Sequence, residues 1–187
     1  MGRWEPDAAG RLREAAMALY AERGYDGTTV AEIADRAGVT ARTFFRHFAD
    51  KREVLFAGSE VLQQTMVAAL AAAPADATPM EAITTAVLAS ADFFDDIRRD
   101  YSRRRAAVIT STPELLEREL MKMAKLTTAL SQGLLERGVA PDVAALAAET
   151  GVAVFRVSFE RWISAPDDVP IVDVIQATLK NLAGLTA

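Results

Sequence analysis

The sequence contains no cysteine and one histidine, His47, among 187 residues. The first absence excludes disulfide staples, thiolate nucleophiles and cysteine-bearing metal sites. The second leaves no Ser-His-Asp arrangement and no histidine cluster around a metal, so the residues point away from an enzyme. Asp95-Asp96 and Glu117-Glu119 could be counted as carboxylate pairs but read as solvated helix faces, and there is no Gly-rich phosphate loop. No cofactor and no metal are expected. Glycine and proline are scarce, at 10 and 7 residues, whereas 51% of the chain is hydrophobic. Alanine and straight-chain residues lose least on entering a helix, so this balance predicts an all-α chain without strands. Long apolar runs are missing as well. The longest uncharged stretch, Val61 to Ala75, is too short and too polar to span a bilayer, and the first residues lack a signal-peptide core, which predicts a cytoplasmic protein without a membrane partner.

The net charge of −5 argues against a protein coated in nucleic acid, but the charge is unevenly distributed. Between Thr40 and Arg52 stand four cations (Arg42, Arg46, Lys51, Arg52) and one anion (Asp50). This is a small, localised basic footprint.

Periodicity and caps predict about nine helices and no internal repeat. The first runs from about Asp7 to Arg23, with Leu12, Ala16, Leu19 and Tyr20 on one stripe and Gly24 at its C-terminal end. Thr29-Val30-Ala31-Glu32 reads as a capping box opening a short second helix that stops at Gly38. Thr40 caps a third, whose apolar residues Ala41, Phe44, Phe45 and Phe48 leave Arg42, Thr43, Arg46 and His47 on the other face. Asp50-Lys51-Arg52-Glu53 reads as a second capping box and opens a fourth helix continuing to Pro74. Further helices are expected at about 80–97, 99–110, 113–137, 141–164 and 171–183.

Two short helices joined by Gly38-Val39-Thr40 have the spacing of a helix-turn-helix, in which the second helix must pack on one side and be free to enter the major groove on the other. The segment from Arg11 to Phe56 closely resembles the DNA-binding domain of TetR-family regulators. Its features fall in that family's order: a helix ending Arg23-Gly24-Tyr25, a Thr28-Thr29 start, an Ala37-Gly38-Val39-Thr40 turn, an aromatic-rich recognition helix and Lys51 at the next helix. The resemblance implies an N-terminal three-helix DNA-binding domain over 1–50 and a helical ligand-binding and dimerisation domain over 51–187. It implies that Thr28 or Thr29 and Lys51 contact phosphates of double-stranded operator DNA, that Thr40 helps position the duplex, that Arg42 and Thr43 reach bases or backbone, and that His47 holds a phosphate oxygen. Arg46 is a further candidate contact. The family often carries Tyr where this chain has Phe45, so that hydroxyl contact is missing and Phe45 is expected only to pack.

By the same resemblance the protein is a homodimer, a repressor by the family's default, released from a palindromic operator by a small effector. The last two helices would pair with their copies. Ala147, Gly151 and Val154 on one helix, and Ile171, Val174, Ile175, Leu179 and Leu182 on the next, supply small and aliphatic residues for that interface. Phe93, Phe94, Tyr101, Met121, Met123, Phe155, Phe159 and Trp162 are candidate contacts for an apolar or amphipathic effector, although such a stripe is also the composition of a core. The segment FRVSFERWI resembles a TetR subgroup that senses acyl-CoA-like molecules. The run Arg98, Arg99, Arg103, Arg104, Arg105 alternates with Asp92, Asp95, Asp96 and Asp100, and side-chain pairing is its default explanation, an anionic ligand group the rarer one. The competing reading of the whole chain is a ligand-independent helical DNA-binding or adaptor protein.

Overall fold

The computed structural model describes residues 7–94 and 96–185, with side chains omitted at 95–98. Among these the chain is all-helical and forms two compact units. One comprises residues up to Ala57 together with Arg104–Glu117, the other Gly58–Arg103 with Arg118 onward. The expected division at residue 50 is therefore displaced. Val54, Leu55 and Phe56 are buried, and the first unit also recruits a later segment of chain.

The first unit contains α1 (Ala8–Arg23), α2 (Val30–Arg36), α3 (Ala41–His47) and α4 (Glu53–Phe56). Asp7 caps α1 by accepting from the Gly10 amide at 2.8 Å, and Gly24 ends it at φ 76°, where a side chain would be strained. Leu12, Ala16, Leu19 and Tyr20 are buried as their spacing predicts, and Ile33, Phe44 and Phe48 complete the core beneath α2 and α3.

The second unit holds α5 (Ser59–Ala72), α6 (Pro79–Ala89), a 3₁₀ turn (Ser90–Phe93), most of α8 (Pro113–Glu136), α9 (Pro141–Ser164) and α10 (Ile171–Leu185). A further helix, α7 (Asp96–Ser111), contributes residues to both units, as α8 does. Two expected boundaries are corrected. The predicted fourth helix is two, because Gly58 at φ 95° interrupts it between α4 and α5. The helix expected over about 80–97 ends at Ala89 and tightens into the 3₁₀ turn. A cap missed in the sequence opens α6: the Thr78 hydroxyl accepts from the Glu81 amide while the Glu81 carboxylate accepts from the Thr78 amide at 2.8 Å, with Pro79 at the first helical position. The stretch Glu53–Ala72 has a mean hydropathy of 1.3, but the Gly58 break and the burial of Leu62, Met66 and Leu70 mark it as core-forming.

The core of this unit joins Leu62, Met66 and Leu70 with Ile83 and Val87, Leu126, Leu130 and Leu134, and the inner faces of α9 and α10. α6 lies against α9 so closely that a Cβ on Gly151 would stand 2.4 Å from Ile83 Cγ2. Gly151→Ala should therefore cost about 1–3 kcal/mol by overpacking. In a double-mutant cycle with Ile83→Ala, measured by urea denaturation, the two losses should sum to more than the loss in the double variant.

Candidate functional site

The helix-turn-helix is set by two caps and a turn. Thr29 and Glu32 form the predicted capping box, with the Glu32 carboxylate accepting from the Thr29 amide at 2.9 Å and hydroxyl at 2.8 Å; these bonds hold its pKa below the ordinary value. Gly38 turns at φ 68°, and the Val39 amide returns to the Ala34 carbonyl at 2.9 Å. Thr40 then caps α3, accepting from the Thr43 amide at 3.2 Å, with the two threonine hydroxyls 3.1 Å apart. Ala34 and Ala37 are buried and small, which permits close approach of α2 and α3.

Within α3, Phe44 is wholly buried and Phe48 nearly so. Arg42, Arg46 and His47 are exposed, and Arg42 makes no hydrogen bond among the described residues. Phe45 departs from expectation. Instead of packing inward it is 58% exposed, set edge-on to the Phe44 ring at 5.5 Å, and it stands on the same open side as the cations. The geometry follows from the 100° turn per residue: the buried line runs through Phe44 and Phe48, four apart, and Phe45 falls off it.

Two expected phosphate contacts are placed otherwise. Thr28 is 1% exposed and its hydroxyl donates to the Gly24 carbonyl at 2.9 Å, so Thr29, not Thr28, presents its side chain outward. The Lys51 ammonium donates to the carbonyls of Tyr25 and Thr28 at 2.8 and 2.9 Å and lies 4.2 Å from the Tyr25 ring centroid. It braces the turn between α1 and α2. Burial pushes the Tyr25 phenol up to about 12, partly offset by the nearby Arg52 charge. Tyr20 adds a hydrogen bond to the Lys51 carbonyl at 2.7 Å. No spacing signal in the sequence marks these long-range bonds.

In the second unit, Phe93, Phe94, Phe155, Phe159 and Trp162 converge. Phe94 lies 6.0, 5.3 and 5.8 Å, centroid to centroid, from Phe155, Phe159 and Trp162, and Phe93 packs against Phe94 at 5.1 Å. Met123 is half-buried against the same core, and Tyr101 is half-buried on α7. Met121, by contrast, is 57% exposed on α8 and lies apart from the aromatic cluster.

The dimer residues need the largest correction. Ala147, Gly151, Val154, Ile171, Val174 and Ile175 are buried within one chain, and Leu179 and Leu182 pack against the same core. Gly151 serves the close approach of α6, not a free surface. The exposed apolar residues of α9 include Val143, Leu146, Ala153 and Val157, of which Leu146 is 70% exposed.

The arginine run is also reassigned. Arg99 donates to the carbonyls of Pro166 and Val169 and stacks over Trp162, while Arg103 donates to Ile163 and Ala165 carbonyls at 2.6 and 2.8 Å and pairs with Asp167. These cations bond carbonyls in the last turn of α9 and in the segment that follows it. In the first unit, Arg104 pairs with Glu14 at 3.5 Å and Arg105 donates to the Leu55 carbonyl at 2.6 Å. The side chains of Arg98, Asp95 and Asp96 lie outside the described residues.

Helical geometry of this kind meets a consistent set of relatives. Residues 12–57 match the model of bacterial regulatory proteins of the tetR family, and residues 77–186 match the MftR C-terminal domain. The HTH-type transcriptional regulator TcmR of Streptomyces glaucescens is 41% identical over 75 residues, 40% of this chain and only 33% of that protein. The HTH-type regulator Mb2274c of Mycobacterium bovis is 30% identical over 146 residues, covering 75% of this chain and 76% of its own. Among solved structures, Thermus thermophilus FadR, described as a TetR-family transcriptional repressor in complex with lauroyl-CoA, superposes with a TM-score of 0.54 at 22% identity, covering 94% of this chain and 93% of that one. The fold and site define a helix-turn-helix DNA-binding regulator. The chain belongs to the TetR family of transcriptional regulators.

Lys51→Met should lower stability by about 1–3 kcal/mol, because two partly buried carbonyls lose their donor. Urea denaturation followed by circular dichroism measures it; an unchanged midpoint would show that Lys51 does not brace the turn.

Proposed function

We propose that the protein is a repressor that binds an inverted-repeat operator as a homodimer, in the cytoplasm, and is released by an apolar or acyl-bearing small molecule. The observation that carries the DNA side is the division of α3: Phe44 and Phe48 anchor it, while Arg42, Phe45, Arg46 and His47 face outward. Such a helix can enter the major groove, where Arg42 can form bidentate bonds to guanine and the Phe45 ring can meet a thymine methyl. Thr29, Thr40 and Thr43 sit at helix starts, where hydroxyls and amides hold phosphates. Lys51 contributes by fixing the turn that carries Thr29. Two copies related by a two-fold axis present two such helices to half-sites about 34 Å, or a multiple of it, apart.

The effector side rests on the Phe94, Phe155, Phe159 and Trp162 cluster and on the acyl-CoA bound by the Thermus protein. An effector acts only through differential affinity: binding the released form 100-fold tighter supplies about 2.7 kcal/mol, and operator DNA must weaken effector binding by the same factor.

Selection from a random duplex pool, followed by anisotropy titrations on the selected site, tests the operator reading. Arg42→Ala should cost about 1–3 kcal/mol and relax preference at one position in each half-site. A uniform loss on all sequences would remove Arg42 from base readout.

The dimer is proposed to form through the open face of α9. Replacing exposed Leu146 with Glu should dissociate the dimer in sedimentation experiments at micromolar concentration without changing the helical content, since the side chain lies outside the core. A dimer unaffected by Leu146→Glu would place the interface elsewhere.

A further inference from the structure

Two polar atoms on the helix that carries much of the aromatic cluster are unsatisfied among the described residues. Ser158 and Trp162 lie four residues apart on one face of α9, and both are wholly buried. Neither Ser158 Oγ nor Trp162 Nε1 has a hydrogen-bond partner among the described residues. The serine is the more telling of the two. Hydroxyls elsewhere in these helices fold back onto their own backbone: Thr85 onto the Glu81 carbonyl at 3.0 Å, Thr150 onto Leu146 at 2.8 Å, Ser164 onto Glu160 at 3.0 Å and Thr178 onto Val174 at 2.8 Å. Ser158 does not, although the Val154 carbonyl stands in the corresponding position one turn back.

An unpaired buried donor is expensive, and two of them one turn apart, among Phe94, Phe155 and Phe159, form an unusual concentration of that expense. Sites that tolerate it are commonly those where another molecule completes the bonding. The charge environment narrows what that molecule carries. The Arg99 guanidinium sits 4.8 Å from the Trp162 ring, itself 1% exposed, and favours partial or full negative charge nearby. An indole N–H can only donate, so the matching group must accept.

Resting on the effector reading above, we propose that Ser158 and Trp162 form its polar recognition pair, donating to a carbonyl or carboxylate oxygen on an otherwise apolar ligand whose body packs against the phenyl rings. The pair would select against hydrocarbon chains of the same shape that lack the oxygen, because a site built around hydrogen bonds discriminates most strongly against a ligand that leaves them unmade.

The test is calorimetric titration of the full chain with three probes: lauroyl-CoA, free laurate and S-dodecyl-coenzyme A, a thioether with a methylene in place of the carbonyl. The wild type should bind one or both oxygen-bearing probes at least tenfold more tightly than the thioether. A preference for lauroyl-CoA identifies a thioester carbonyl, and a preference for laurate a carboxylate. Ser158→Ala should weaken the preferred probe about three- to tenfold, leave the thioether unchanged and leave the thermal midpoint of the free protein the same or higher, since it removes an unpaired hydroxyl. Trp162→Phe should likewise erode the preference, whatever it does to stability. Equal binding of probes with and without the oxygen, or a Ser158→Ala variant with a lowered midpoint and unchanged affinities, overturns the assignment while the effector reading stands. Selective binding through Ser158 without any change in operator affinity keeps the pair and sinks the effector reading. Failure of all three probes to bind removes both.

Discussion

Each helix end leaves carbonyl groups with no amide to accept from, and in this protein cations from distant parts of the sequence close many of those ends. Arg11 reaches the Ala37 carbonyl at the end of α2 at 3.2 Å; Lys51 reaches Tyr25 and Thr28 beyond the end of α1; Arg105 reaches Leu55 in α4. In the other unit Arg137 gathers the Leu70, Ala73 and Pro74 carbonyls past α5, and Arg99 and Arg103 gather those past α9. The placement of the recognition helix follows from this. α3 is held by a turn whose outer carbonyls are occupied, so its cap threonines sit in a fixed frame.

The same economy alters how the charge of the sequence is to be counted. Of the cations between Thr40 and Arg52, Lys51 is committed to carbonyls and Arg52 to Asp50, at 2.6 Å, leaving Arg42 and Arg46 on the open side of α3. Arg99, Arg103 and Arg105 of the α7 arginine run likewise reach backbone carbonyls from other parts of the chain. A helical wheel records which charges share a face, but not that a helix terminus from elsewhere will arrive against them.

The fold class, the two caps of the helix-turn-helix and the anchoring phenylalanines were legible because each depends on residues within one or two turns. Thr29 with Glu32, Thr40 with Thr43, and Phe44 with Phe48 are local pairs. Legibility failed where a residue type has two uses. Gly58 has the small size that a helix interior tolerates, and only its φ and the nearness of the Phe93 ring show that it is a break. Gly151 announces close approach of another helix without saying whose, and the partner is α6 of the same chain. The aromatic stripe Phe155, Phe159, Trp162 was visible at helical spacing. Phe94, which ties those rings together, comes from the irregular segment after the 3₁₀ turn, where periodicity carries no information.

The outward Phe45 carries a thermodynamic consequence. A phenyl ring in water brings an ordered hydration shell whose release lowers heat capacity, and Phe45 is 58% exposed. Whatever surface finally covers that ring acquires a binding enthalpy that grows more favourable with warming. Any interface that closes over Phe45 thus carries a temperature dependence that a polar contact at the same position would lack.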